Sequence, residues 1–383
     1  MQSSARRGAS VLLPRRCPMV LGFCALVVLW GCRQDGGGIR RDTEAIAFPD
    51  GALVEFIEVR SVPVPPSQDA LRAAVSFDGT VAVMTNGDPA VALFGPDLSN
   101  ITMVGKKGSG PGEFTAAAGY SVFSGNTLYV QVGSRIVSIA RSGDSWQAAS
   151  WAIEPSYQLL SVTPDSADFW EISAKEGFPI LRLGIRGNAP RRLLGAADSF
   201  YKRLVTPLGG EQGEPRRPIV TSNDSLLVAA GGYTYELMQL DLRTRRAIYF
   251  GRQMPPRRRT PIELAESQAR WAGGIVGPGG QTLRSPVLQA KYDRLATDTL
   301  PHFRPGGLSL VGNTLLVVGQ ANDSGFVDMF RGGAFIGRSI IPCATAASPS
   351  IAWPWLAVLC TIPEDSDGRK VDVRRFRLGM KSR

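Results

Sequence analysis

The feature that most constrains the fold of this 383-residue chain is a short turn-and-strand pattern that recurs along it. In each copy a turn rich in Gly, Asp, Asn and Ser leads into an apolar run, the combination that closes a tight hairpin. Five copies are clear, and the turn of a sixth is degenerate. The copies occupy residues 77–83, 124–130, 164–170, 222–228, 311–317 and 351–358.

The spacing of the copies predicts the architecture. The first two copies, and the third and fourth, are about 40 to 60 residues apart, and further short strands follow most of them. Four-stranded units at this period are typical of propeller blades. Each twisted sheet has two apolar faces that only neighbouring sheets can bury, so a ring of such sheets must close. The sequence therefore predicts an all-β, six-bladed β-propeller, with a pair of β-sandwiches as the alternative.

Composition and the chain ends agree with a closed ring. Gly (43) and Pro (27) are abundant, whereas long helical periodicity is scarce. Residues 53–59 alternate in character, and we expect them to complete the last blade beside residues 370–378. We assign residues 51–383 to the propeller, a length that can bury a large core.

A long insertion interrupts the repeat between the fourth and fifth blades. We place it at residues 252–305, and it holds the one strong helix signal of the chain. Thr260 is expected to cap this helix, with Pro261 at its first position and Glu263 completing a capping box. The helix is expected to run to Ala272. Long insertions on a rigid scaffold often carry function.

The N-terminus has the layout of an export signal. Residues 1–31 combine four arginines and no acidic residue with an apolar run of 13 residues and a small residue before Cys32. An uncleaved membrane anchor or plain secretion is the alternative, although a spanning helix needs about 20 apolar residues. Residues 32–50 are then expected to form a flexible tether that includes three consecutive glycines.

The last residues of the leader resemble a known class of export signal. Leu29, Gly31 and Cys32 resemble a bacterial lipobox, in which the cysteine sulfur carries diacylglycerol and the chain is cut before it. This resemblance implies palmitate-type lipidation at Cys32 and a membrane-anchored protein of the cell envelope. Arg33 follows the cysteine, and by similarity to sorting rules this favours the outer membrane or periplasmic face in a cell with two membranes.

A glycine-rich stretch at residues 104–114 resembles the inter-blade signature of NHL-type six-bladed propellers. Together with the lipobox, it makes the chain similar to bacterial six-bladed β-propeller lipoproteins, a resemblance that implies the fold but not an activity. A phosphate-binding loop is the alternative, but the Lys-Ser/Thr pair of a P-loop is missing. The motif residues are Gly108, Gly110, Pro111, Gly112, Glu113 and Phe114, with Phe114 expected to wedge between blades and Glu113 to accept bonds from loop amides.

The cysteines predict one disulfide. Once the leader is removed and Cys32 is modified, Cys343 and Cys360 remain. In an oxidising compartment two such residues suggest a bond between them, and two buried thiols are the alternative. Two thiols and one distant histidine cannot fill a tetrahedral metal site.

The net charge and its distribution limit the classes of binding partner that we expect. Without the four leader arginines, the formal net charge of +10 falls to +6, and this charge is scattered along the chain. An exported protein of this kind is not expected to bind nucleic acid. The densest basic run could form an anion-binding patch near an aromatic side chain, or could simply be a solvated loop. This candidate patch comprises Arg257, Arg258, Arg259 and Trp271.

No catalytic constellation is predicted. Ser-His-Asp chemistry would have to use His302, the sole histidine, and no nucleophile-elbow motif occurs. Glu211 and Glu214 could in principle act as a glycosidase pair, but a loop location facing water is the alternative. No cofactor is predicted. Calcium stays open because it needs only oxygen ligands, with turn-forming aspartates as the simpler interpretation of Asp78, Asp165 and Asp224.

These observations favour a non-catalytic, lipid-anchored propeller that binds an envelope protein, peptide or glycan. The expected binding surfaces are the insertion and the mouth of the central channel. The alternative is a calcium-dependent hydrolase or lyase with its site at that channel.

Overall fold

A computed structural model gives the fold of the chain. It describes residues 52–63, 70–85, 87–88, 90–110, 112–115, 119–143, 145–172, 179–185, 190–195, 218–231, 234–259, 261, 264–265, 268, 275–276, 282–283, 289, 293, 296–297, 300–321, 324–343, 346–362 and 370–381. The leader, Cys32, the tether, Pro111, Glu211, Glu214, Thr260, Glu263, Trp271 and Ala272 lie outside these residues.

The described residues form six four-stranded antiparallel sheets arranged as a six-bladed β-propeller, which confirms the predicted fold class. In chain order the strands are β1 (Leu53–Val62), β2 (Ala70–Val75), β3 (Val81–Thr85), β4 (Val91–Phe94), β5 (Ile101–Val104), β6 (Ser121–Ser124), β7 (Thr127–Val132), β8 (Arg135–Ser142), β9 (Ser145–Ala152), β10 (Tyr157–Val162), β11 (Ser166–Glu171), β12 (Ile180–Gly184), β13 (Arg191–Leu194), β14 (Ile219–Ser222), β15 (Leu226–Ala230), β16 (Glu236–Asp241), β17 (Ala247–Gly251), β18 (Ile275–Val276), β19 (Thr282–Leu283), β20 (Phe303–Val311), β21 (Thr314–Gln320), β22 (Gly325–Arg331), β23 (Ala334–Ile340), β24 (Ala346–Ala352), β25 (Trp355–Ile362) and β26 (Lys370–Lys381).

Blades one to five are consecutive meanders. They contain β2–β5, β6–β9, β10–β13, β14–β17 and β20–β23, and blade six contains β24–β26 with β1 as its fourth strand. The repeat found in the sequence is the hairpin between the first and second strands of each blade. Because neighbouring strands are antiparallel, the first and third turns of every blade share one end of the ring, here called the turn face. The second turns and the inter-blade links share the opposite end, here called the link face.

One repeat turn shows why a glycine is required. Gly79 closes the first hairpin of blade one with a φ of +89°, where side chains carry a steric cost. A Cβ built on it would lie 2.8 Å from the indole ring of Trp355 in blade six. The turn and the close approach of the neighbouring blade both exclude a larger residue.

The hydrophobic core lies between the sheets, as ring closure demands. Each of six apolar clusters takes its residues from two neighbouring blades, including the cluster that joins blade six to blade one. In that cluster Val373 and Leu359 pack with Val75 and Phe94. No blade can bury its faces alone, so the fold is stable only as a complete ring.

The ring closes through the N-terminal strand. β1 pairs antiparallel with β26, and the register runs from Leu53 opposite Lys381 to Val62 opposite Val373. The predicted closure by residues 53–59 is therefore confirmed. A disulfide joins Cys343, in the link that enters blade six, to Cys360 on β25, with 5.6 Å between the Cα atoms.

The insertion lies between β17 and β20. It contains the small hairpin of β18 and β19, and Pro261, Leu264, Ala265 and Gln268 are helical within the span where a helix is predicted. Because β20 begins at Phe303, the last residues of the predicted insertion belong to blade five. Among the described residues, no helix is both long and apolar enough to cross a membrane.

Candidate functional site

The insertion leaves and rejoins the ring at one place, the link face of the seam between blades four and five. Its two ends meet there: the amide of Leu300 donates to the carbonyl of Arg257 over 2.7 Å. The side chain of Arg257 turns into the ring, where Nε donates to the carbonyl of Ala321 over 3.2 Å. We call this region the insertion root.

The insertion root is built around a buried carboxylate. Asp328 lies on β22 with no solvent exposure, and Arg338, its register partner on β23, forms a bidentate pair with it. The Nε–Oδ1 and Nη2–Oδ2 distances are 2.6 and 2.8 Å. Two groups from outside blade five reach Oδ2: Arg252, just after β17, from 3.3 Å, and the hydroxyl of Tyr235, just before β16. The carboxylate therefore fastens blade four and the start of the insertion to blade five.

Electrostatics keep two members of this cluster, Tyr235 and Arg338, in one protonation state. Burial raises the pKa of Tyr235 well above its ordinary value, and the charge and hydrogen bond of Asp328 raise it further. Burial lowers the pKa of Arg338, but the hydrogen bond and charge of Asp328 outweigh that effect and the net pKa is raised. A buried ion pair needs such complete pairing, since removing one partner leaves an uncompensated charge. Tyr235 therefore stays protonated and Arg338 stays charged over the physiological pH range.

The sole histidine is also part of the root. His302 is 2% exposed, and its carbonyl accepts the amide of Gln320 over 2.8 Å. Its Nδ1 makes no hydrogen bond to any described residue. Burial lowers its pKa, and the charges of Arg257 and Arg338 lower it further. The imidazole is therefore neutral, but its enclosure keeps it out of hydrogen-bond reach of a substrate bound at the surface.

The three arginines of the basic run differ in burial. Arg257, at 1% exposure, lies inside the ring rather than in an exposed patch, because its backbone pairs with Leu300 and directs its side chain inward. Arg258 is exposed, and its Nη1 donates to the carbonyl of Thr297 over 2.7 Å. Arg259 is half-buried. An anion would meet Arg258 and Arg259 on the surface of the root.

The glycine-rich inter-blade motif forms a compact loop between blades one and two. The amide of Gly108 donates to the carbonyl of Phe114 over 3.1 Å, and the amide of Phe114 to the carbonyl of Lys106 over 2.8 Å. Phe114 is 3% exposed in the core shared by the two blades. Gly112 has a φ of +74°.

Glu113 holds that loop together. Its carboxylate accepts the amide of Gly110 over 2.9 Å and lies 3.1 Å from the ammonium of Lys106. The amide of Gly110 and then Lys106 lower the pKa of Glu113. Arg135 of blade two donates to the carbonyls of Ser109 and Glu113 from 2.8 and 3.0 Å. The carboxylate and amides of this loop are therefore committed to its own structure.

A second buried carboxylate, absent from the sequence predictions, lies between blades three and four. Asp168 on β11 is fully buried and accepts Nε and Nη2 of Arg182 on β12 over 2.7 and 3.1 Å. The hydroxyl of Ser222, in blade four, donates to it over 2.6 Å. A lone acidic residue inside an apolar run marks both Asp168 and Asp328, and that signal could have indicated a buried pair.

Among the predicted turn aspartates, Asp78 has local partners. Asp78 accepts the amide of Thr80 over 2.9 Å and the hydroxyl of Ser76, which makes it a turn-stabilising residue. Among the described residues, no group of three or more His, Cys, Asp or Glu side chains comes together to hold a metal.

No protein-family model matches the chain, and no curated protein matches it. A protein of Bacteroides fragilis assigned as exported is 9% identical, covers 86% of this chain and 95% of its own, and has a TM-score of 0.48. U3-55K is 10% identical over 83% of this chain and 98% of its own, with a TM-score of 0.44. A chain of the mitotic checkpoint complex is 12% identical over 83% and 81%, with a TM-score of 0.40.

Proposed function

We propose that the protein is a non-catalytic propeller, held at the cell envelope by a lipid on Cys32, that presents its insertion as a binding surface. The partner is a protein, peptide or glycan of the envelope. The observation that carries this proposal is the insertion root, where a fully buried carboxylate fixes the start of the insertion to two blades. Such anchoring lowers the entropy that a binding surface loses when its partner docks.

The chemistry of the root supports binding rather than turnover. Asp328, Tyr235 and His302 are enclosed, and the first two are committed to each other and to arginines. By contrast Arg258 is exposed on the insertion side of the root, where it can contact an acidic partner group. A cationic side chain at an exposed rim affects the association rate and its salt dependence more than it affects affinity.

The export signal supports a location at the cell envelope. Leu29, Gly31 and Cys32 fit the lipobox pattern, and two or more acyl chains anchor a protein stably. In a cell with two membranes we place the protein on the outer membrane or the periplasmic face. Palmitate labelling of the full chain tests this location. Cys32→Ala should remove both the label and the membrane association. A variant that is still labelled would contradict lipid anchoring at Cys32.

Binding through the insertion is tested by capturing envelope partners on the full-length protein. The variant Arg258→Glu/Arg259→Glu should capture its partner less well, with a weaker dependence on salt. Arg243→Glu, an exposed arginine in the β16–β17 turn, is the matched control and should capture normally. Equal capture by all three proteins at low salt would contradict binding through the root surface.

A further inference from the structure

The N-terminal tether joins the ring on its turn face. β1 runs antiparallel to β26, and Leu53 pairs with Lys381 at the end where the first and third turns of every blade lie. About 20 residues separate Cys32 from Ala52, and a flexible chain of that length spans about 25 Å. The longer blade strands are themselves about 20 to 26 Å from end to end. A tether of this length therefore favours the turn face, rather than the link face, as the side next to the membrane.

Four arginines gather on the outer rim of this face, where blades three and four meet. Arg191 begins β13, and Arg243, Arg245 and Arg246 lie in the turn between β16 and β17; all four are exposed. Two of them are fixed by bonds across the seam. Nη2 of Arg245 donates to the carbonyl of Leu193 over 2.7 Å. Nη2 of Arg191 donates to the carbonyl of Leu242 over 3.5 Å. We call these four arginines the basic rim.

The basic rim is not neutralised by ion pairs. Among the residues that the structure describes, none of its four arginines forms one. Asp241, at the base of the turn, accepts the amides of Thr244 and Arg243, and the bond from Thr244 lowers its pKa most. Asp165 and Asp224 lie on first turns, and the first strands contact one another around the centre of the ring. The cations are therefore at the outer edge of the face, and these last two carboxylates are nearer its centre.

Exposed apolar side chains adjoin the basic rim. Ile248 and Tyr249 follow it on β17 and are 42% and 52% exposed. A Cβ built on Gly333, in the third turn of blade five, would lie 3.4 Å from Ile248. The apolar surface therefore continues toward Phe335, two residues further on, which is 39% exposed. Basic side chains beside exposed aliphatic and aromatic groups are typical of protein surfaces that lie in a membrane interface.

The order of the blades places the basic rim far from the tether. Each of the six apolar clusters joins consecutive blades, so the blades follow one another around the ring in chain order. The tether enters at β1, the outer strand of blade six, and blade three lies opposite blade six in a ring of six. A ring that is held at one edge and attracted at the opposite edge presents its whole turn face to the membrane.

We propose that the basic rim, with Ile248 and Tyr249, docks on anionic lipid headgroups of the membrane that holds the lipid anchor. The turn face then lies against the bilayer, and the insertion root, on the link face, points away from it toward the envelope partner. This proposal rests on the proposed anchoring at Cys32. It adds a second contact, which fixes the orientation that a flexible tether leaves free.

The test is amide hydrogen exchange of the lipidated protein in vesicles of phosphatidylcholine alone, or of equal parts phosphatidylcholine and phosphatidylglycerol. The amides of Thr244 and Arg246 report on the rim, because each bonds to a side chain of the same hairpin. The amide of Lys107, which bonds to Asp88 on the link face, is the matched reporter. We expect the anionic lipid to slow exchange at Thr244 and Arg246 but not at Lys107, and added salt to reverse the effect.

Charge removal gives the size of the effect. Each arginine near an anionic surface should change the ratio of docked to free rim about fivefold, so Arg246→Gln should lower it about fivefold and Arg243→Gln/Arg246→Gln about 25-fold. Their thermal unfolding midpoints should not change, because both side chains are exposed. Lys107→Gln removes one exposed charge from the link face and is the matched control, which should dock like the unchanged protein. All of these variants should capture the insertion partner normally.

Equal exchange at the rim on the two kinds of vesicle would overturn the proposal, and so would equal docking by Arg243→Gln/Arg246→Gln. The same slowing by soluble glycerol phosphate, added to neutral vesicles, would also overturn it, because a free anion would then suffice. Failure of the anchor gives a different result. Absence of the unchanged protein from neutral vesicles would contradict lipid anchoring, whereas vesicle-bound protein with an unaffected rim would contradict only this proposal.

Discussion

Two seams of the ring each bury an aspartate, and they use it differently. Asp168 and Asp328 are both fully buried, and each forms a bidentate pair with an arginine on the next strand of its own blade. At Asp168 the remaining bond comes from a ring residue, Ser222. At Asp328 the further bonds come from Tyr235 and from Arg252, the first residue of the predicted insertion. The same electrostatic device joins two blades in one seam and anchors an insertion in the other.

At a third seam, between blades six and one, the equivalent arginine bonds to backbone carbonyls instead of a buried aspartate. Arg182 on β12 and Arg375 on β26 occupy equivalent positions in their blades. Each pairs with the third residue of the neighbouring strand, β11 or β25. Arg375 crosses the seam between blades six and one and donates to the carbonyls of Gly79 and Pro96, both over 2.6 Å. It also lies over the ring of Trp355, 4.4 Å from the centroid. Burial lowers the pKa of Arg375, whereas that of Arg338, next to Asp328, is raised.

The largest effect is expected from neutralising the two aspartates. Asp328→Asn leaves two arginines at the root without their charge partner, and Asp168→Asn leaves one. Breaking a buried pair costs about 3–5 kcal/mol, so both variants should lose stability, with Asp328→Asn losing at least as much. Denaturant unfolding measures this loss. Limited proteolysis should detect faster cleavage of the insertion in Asp328→Asn than in Asp168→Asn, and equal cleavage in both variants would contradict the distinction between the seams.

The disulfide gives the next largest effect. Cys343→Ser/Cys360→Ser opens a loop of 17 residues, and the chain-entropy model assigns such a loop about 3 kcal/mol. The loss should be seen in the free energy of unfolding of the oxidised protein and should vanish when both proteins are compared under reducing conditions. A difference that persists after reduction would mean that packing of the thiols, not the bond, stabilises blade six.

A matched pair of hydroxyl deletions compares the seams directly. Tyr235→Phe and Ser222→Ala each remove one neutral donor from a buried carboxylate that keeps its arginine. A hydrogen bond to a charged group contributes roughly 1.5–3 kcal/mol, so each variant should lose about that much on unfolding. We expect Tyr235→Phe to increase amide exchange at the insertion root more than Ser222→Ala does. An equal increase there in Ser222→Ala would show that the two clusters are coupled.

The smallest effect is a pH dependence due to His302. Its pKa is lowered in the folded protein, so the unfolded chain binds a proton first as the pH falls. The neutral imidazole therefore costs no stability above the unfolded value of about 6.5, and stability falls as the pH drops below it. Because His302 is the sole histidine, His302→Gln should flatten the stability profile between pH 7 and pH 5.5. An unchanged slope would place the imidazole in solvent.

Local patterns predicted the ring, whereas the polar contacts between blades escaped prediction for a physical reason. A turn such as that at Gly79, and the alternation in Leu53–Val62, are encoded within a few residues, so the repeats and the closing strand were predicted correctly. The partners of Asp328 lie in two other segments, at Tyr235 and Arg252, and only the packed ring brings them together. Arg257 was grouped with its neighbours as a surface patch, because its inward direction depends on a bridge to Leu300, 43 residues later.

Amide hydrogen exchange of the full-length protein tests the anchoring of the insertion most directly. The amide of Leu300, bonded to Arg257, and that of Gln320, bonded to His302, report on the root, while the amides of blade three report on the other seam. We predict slow exchange at all of these sites in the unchanged protein, and Asp328→Asn should accelerate exchange at Leu300 and Gln320 more than at the amides of blade three. Fast exchange at Leu300 in the unchanged protein, or no change in Asp328→Asn, would contradict a fixed insertion root.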